Sequence, residues 1–174
     1  FTLAGRTDAG VHALGQVISC DLPGAVDPSD LAHRLSRMCA PDISVRSGDW
    51  APDDFNARFS ASSRSYRYHV WNAPESNPLL HDLTWHVAQS LNLDLMNEAA
   101  QVVVGQHDFS SFCRAPDPAP DGTPLSLVRT VISASWTRGD PSHLVMFDIV
   151  GMAFCHQTVS YTHSEPTRRS DISY

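Results

Sequence analysis

One acid stands in a stretch built to turn: Gly5-Arg6-Thr7-Asp8-Ala9-Gly10-Val11-His12-Ala13-Leu14-Gly15-Gln16-Val17. A carboxylate there has two kinds of use. It can accept backbone N–H groups two residues on, as an Asx turn, with Gly10 supplying a positive φ. Or it can work as a nucleophile or general base, attacking carbon or taking a proton. The first use makes the stretch a turn feeding a strand over Gln16–Leu22, and His12 a structural neighbour. The second makes Asp8 the centre of a site, with the guanidinium of Arg6 two residues away. The other basic groups are also arginines, since the chain has no lysine, and Arg58, Arg64 and Arg67 fall close together. Arginine suits fork-like phosphate contacts and stacking on bases.

Other chemistries find little support. Cys20, Cys39, Cys113 and Cys155 are far apart and form no Cys-x-x-Cys pair, which argues against zinc and against a disulfide framework. Reduced, cytoplasmic thiols are the expectation. The nine histidines are scattered and form no metal-binding signature, so no metal is expected. No run approaches the roughly 20 apolar residues of a membrane span. The net charge of −7 opposes non-specific binding to nucleic acid, so any such contact must come from local arginines.

The elements that must position these groups follow from pattern. Phe1–Ala4 is a short apolar strand entering the loop. Asp27 or Ser29 caps a helix over Ser29–Cys39, with Leu31, Leu35 and Met38 as its core face. Alternation suggests a strand over Ile43–Trp50. The clearest strand is Arg64–Asn72, with Tyr66, Tyr68 and Val70 on one face and Ser65, Arg67, His69 and Trp71 on the other. Leu83–Ala88 reads as a short extended segment. A helix runs from Asn92 or Asp94 to Val104, buries Leu95, Ala99 and Val102–Val103, and is closed by Gly105. Arg114–Pro124, with four prolines, reads as a mobile surface loop. Val128–Thr137 and His143–Val150 form an antiparallel pair.

The run Gly5-Arg6-Thr7-Asp8-Ala9-Gly10-Val11-His12 resembles the catalytic motif of the tRNA pseudouridine synthase A family. Phe55-Asn56-Ala57-Arg58-Phe59-Ser60-Ala61 followed by Arg64-Ser65-Tyr66-Arg67-Tyr68 is similar to a second motif of that family, in the same order. Gly105 to Phe112 resembles its Gly-x-x-Asp-Phe-Ser-x-Phe signature. The resemblance implies an α/β (α+β) fold. Its sheet is mixed and largely antiparallel, with helices on one face, in two ferredoxin-like halves with the active site in the cleft between them. It implies a homodimer acting without cofactor on tRNA, isomerising uridines 38 to 40 of the anticodon stem-loop to pseudouridine. By the same resemblance Asp8 is the catalytic residue, Tyr66 stacks on the target base, Arg6 assists its displacement and Arg58 contacts phosphate or serves structure. An ion pair of Arg58 with Asp53 or Asp54 stands beside that role.

The similarity extends to Gly151-Met152-Ala153-Phe154-Cys155-His156-Gln157, where the family continues into a long helix. Beyond it Thr158 stands where the family has methionine. Ser160 stands where it has the arginine that pairs with the catalytic aspartate. Ser160–Tyr174 is polar and lacks apolar periodicity. The expected division is therefore an incomplete catalytic region over 1–157 and a non-native tail over 158–174, with the family's N-terminal start and C-terminal part missing. Two other functions stay open: an inactive RNA-binding piece of the same fold, and an unrelated hydrolase, against which stands the lack of a Gly-x-Ser-x-Gly elbow.

Overall fold

The computed structural model describes residues 1–7, 10–24, 26–112 and 126–154. They fall into two compact units, one of Phe1–Ala4 with Val17–Ser60 and the other of Gly5–Gln16 with the chain from Ala61 onward.

In the first unit β1 (Thr2–Leu3) pairs antiparallel with β2 (Ile18–Ser19), and the Ala4 N–H extends the ladder to the Val17 carbonyl at 2.9 Å. The strand expected over Gln16–Leu22 thus shrinks to the two residues that find a partner. Helix α1 (Pro28–Met38) starts where the sequence places it. Asp27 is the N-cap and accepts the Ser29 N–H at 2.9 Å, and proline occupies the first helical position, where no N–H is needed.

The buried stripe of α1 differs from the expected one. Ala32 is buried, whereas Leu35 is exposed and Met38 is 79% exposed. The cause is the segment that follows the helix. The Ser36 hydroxyl accepts the Val45 N–H and donates to the Val45 carbonyl at 2.9 Å. Gly48 lies so near that a Cβ there would stand 2.6 Å from the Pro28 carbonyl oxygen and 3.4 Å from the Ala32 Cβ. The packed stripe is therefore Pro28, Ala32 and Ser36, small groups four residues apart that allow close approach. The same contacts explain why Ile43–Trp50 is not a strand. Both backbone groups of Val45 are taken by a side chain, so they have none left for a ladder.

The second unit is built on a five-stranded sheet in the order β4-β3-β7-β6-β5. Its members are β3 (Arg64–Trp71), β4 (Trp85–His86), β5 (Gly105–Asp108), β6 (Val128–Arg138) and β7 (Leu144–Gly151). The pairing is antiparallel except between β3 and β4, so the sheet is mixed and largely antiparallel, as expected. Register sets opposite residues on a common face. Tyr66 opposes Ile149 and Tyr68 opposes Phe147, and these in turn oppose Ala134 and Trp136. On the other face Arg67 opposes Asp148.

Helix α2 (Leu93–Gln101) is capped by Asn92, which accepts the N–H groups of Asp94 and Leu95. It packs on β6 through Ala100, which joins Val131 and Ala134 in a core flanked by Val103, Val104, Phe109, Trp136, Phe147, Ile149 and Phe154. Trp136 and Phe147 stack at 4.6 Å. Of the expected buried side, Val103 packs against this core, whereas Ala99 is exposed and Leu95 and Val102 are 62% and 73% exposed. The side facing β6 also carries amides. Asn97 accepts the Trp136 N–H at 2.7 Å and donates to the Trp136 carbonyl at 3.0 Å, and Gln101 donates to the Ala134 carbonyl at 3.1 Å. The helix stops three residues short of Val104. Val102, Val103 and Val104 make tight i→i−3 bonds, as suits β-branched residues that crowd an α-helical turn. Gly105, at φ +109°, then turns the chain into β5. The loop expected over Arg114–Pro124, the segment after Phe154 and the 158–174 tail lie outside the described residues.

Candidate active site

The loop that carries Asp8 in sequence is closed at its base by a side chain. Gln16 donates from Nε2 to the Gly5 carbonyl and accepts the Gly5 N–H at Oε1 over 3.3 Å. One amide thus satisfies both backbone groups of Gly5. Gly10 adopts φ +80°, the left-handed conformation expected after the aspartate. Arg6 and His12 are exposed. Asp8 itself lies outside the described residues.

Tyr66 is half-buried on β3, in the same unit as Arg6. The ring of Phe154 meets it edge-on, with centroids 5.1 Å apart and planes at 86°. Tyr66 shares its sheet face with the core, so the strand alternation seen in the sequence does place the tyrosines inward. Tyr66 stands at the end of β3 nearest Gly151, where the core gives way to the chain leaving the sheet. Next to it, Arg67 forms a two-point pair with Asp148, Nε to Oδ1 at 2.7 Å and an Nη to Oδ2 at 3.2 Å. Arg64 donates to the Met152 carbonyl at 3.2 Å. Two arginines of the basic cluster thus have structural contacts.

Arg58 belongs to the first unit. It is exposed and its guanidinium lies 5.6 Å from the centroid of the Phe59 ring, whose residue is 78% exposed. Asn56 shapes this turn by accepting the N–H groups of Arg58 and Phe59 at its side-chain oxygen, at 3.0 and 3.2 Å. The turn therefore offers a cation and an aromatic surface together, a combination suited to nucleic acid.

No local sequence pattern marks the contacts that Gln16 and Phe154 make. The Gln16 latch is a contact between residues eleven apart, with no local pattern to reveal it. Among the described residues no cluster of three His, Cys, Asp or Glu is placed to hold a metal ion, and no helix is long and apolar enough to cross a membrane.

Comparison with known proteins agrees with the motifs. A family model described as tRNA pseudouridine synthase matches residues 99–163. A tRNA pseudouridine synthase A of Streptomyces avermitilis is 42% identical over 164 residues, covering 91% of this chain and 55% of that protein. The protein of the same name from Ralstonia nicotianae is 42% identical over 166 residues, covering 91% and 57%. That of Bacillus subtilis is 35% identical over 156 residues, covering 90% and 60%. The chain thus spans a little over half the length of these relatives. With nine-tenths of the chain aligned at such identity, and with a mixed, largely antiparallel sheet as the motifs imply, it belongs to the tRNA pseudouridine synthase A family.

Proposed function

We propose that this chain carries the catalytic region of an enzyme that isomerises uridine to pseudouridine at positions 38–40 of the tRNA anticodon stem-loop. The N1–C1′ bond of the target breaks, a C5–C1′ bond forms, the C5 hydrogen leaves as a proton and N1 takes up a proton, so the product is an isomer of the substrate. In this reading Asp8 is the catalytic carboxylate, acting on the sugar or base in both halves of the reaction. A stacked base must first leave the stem-loop. Tyr66 receives its face, Arg6 assists the displacement and Arg58 contacts the RNA backbone. Residues 1–157 make up the catalytic region, and 158–174 have no part in it. The protein works as a homodimer in the cytoplasm, in keeping with Cys20 and Cys39 as free thiols.

The observation that carries this reading is that the motif loop Gly5–Gln16, latched at its base by Gln16, and the motif tyrosine Tyr66, with Phe154 edge-on to it, belong to one compact unit. Its test is tritium release from tRNA labelled at uridine C5. Release by the wild-type chain supports the synthase. Binding of tRNA without release favours an inactive RNA-binding module, and neither binding nor release overturns both.

A further inference from the structure

We propose that Phe154 is a positioning residue for Tyr66, seated by Gly151, and that it sets the plane on which the target base stacks; this rests on the function proposed above. Gly151 ends β7 and is buried, opposite Arg64 on β3 and Val131 on β6. A Cβ at this position would stand 2.7 Å from Phe154 Cζ, 3.1 Å from its Cε2 and 3.1 Å from the Thr130 carbonyl oxygen. The ring of Phe154 therefore occupies the space that any other side chain would need. Ile149, which faces Tyr66, is two residues before Gly151 on the same side of the strand. From above Gly151 the Phe154 ring thus reaches Tyr66 on the diagonal, a distance aromatic side chains span across a sheet.

The backbone between the two residues is held on both sides. The Met152 N–H donates to the Thr130 carbonyl at 3.0 Å, and its carbonyl accepts from Arg64 at 3.2 Å. The turn that carries Phe154 is pinned to β6 and β3 together. An edge-on neighbour steers a ring through its quadrupole while leaving at least one of the two tyrosine faces clear of it. That is the arrangement a stacking platform requires, and a misdirected platform costs rate through orientation more than affinity.

The test uses the whole chain labelled with 3-fluorotyrosine, the Tyr66 resonance being assigned with Tyr66→Phe. Pseudouridine formation is measured on an anticodon stem-loop RNA. Phe154→Leu is expected to move the Tyr66 fluorine resonance and to lower kcat roughly three- to tenfold with KM little changed. Phe154→Tyr, which keeps the ring, restores both. Gly151→Ala reproduces Phe154→Leu, and the two changes together do no more than either alone. The proposal is overturned by an unmoved resonance, by an unchanged kcat in Phe154→Leu, or by an equal loss in Phe154→Tyr. A wild-type chain that forms no pseudouridine overturns the function and the catalytic consequence of the contact. Movement of the fluorine resonance in Phe154→Leu would still support the contact itself.

Discussion

Tyr66 sits on the inward face of β3 and touches Phe154; with the base contact proposed for it, a substitution there would act on packing and on base contact at once. The two effects separate by chemistry. Tyr66→Phe keeps the π-face and the packing, and should retain most of the affinity for an anticodon stem-loop RNA. Tyr66→Ala should lose roughly 1–3 kcal/mol of base contact, by analogy with aromatic stacking on single strands. Equal and negligible losses of binding and turnover in both variants would make Tyr66 a core residue alone. Asp8, Tyr66, Arg6 and Arg58 were legible as candidates because their motifs are local runs of sequence. The Gln16 latch, the Arg67–Asp148 pair and the seat of Phe154 over Gly151 were not. The first two join residues 11 and 81 apart in the chain, and the third depends on how the chain turns after β7.

At the scale of elements, sequence pattern succeeded where local chemistry decides and failed where a partner does. Asp27-Pro28 and Asn92 mark helix starts by capping, and both helices begin there. β3, which alternates strongly, and the strands β6 and β7 occur close to the expected bounds. Ile43–Trp50 alternates too, yet Ser36 holds Val45 and the segment joins no sheet. β5 went unread because a strand of four residues is defined by its pairing with β6 rather than by its own pattern. Helix α2 is docked by the amides of Asn97 and Gln101 as well as by Ala100, which gives a specific expectation. Asn97→Ala leaves the Trp136 N–H and carbonyl, at the edge of β6, without their side-chain partner. It should cost about 1–3 kcal/mol in urea denaturation. Leu95→Ala, on the exposed side of the same helix, should stay within about 0.5 kcal/mol. The reverse order would contradict the docking described here.

For the whole molecule, net charge and proposed substrate oppose one another. A chain of charge −7 without lysine must meet a polyanion through a few arginines, and its affinity should fall linearly with the logarithm of salt concentration. If Arg58 contacts phosphate, Arg58→Ala should weaken tRNA binding alike across sequences and reduce the salt slope by about one. An unchanged slope would leave Arg58 to its turn and its contact with Phe59. The central claim is chemical, and it is tested most directly by mapping pseudouridine base by base in tRNA treated with the wild-type chain and with Asp8→Asn. The account predicts new pseudouridine within positions 38–40 from the wild type and none from Asp8→Asn, which still binds the tRNA. Pseudouridine formed equally well by Asp8→Asn, or by the wild type only outside the anticodon stem-loop, would contradict it.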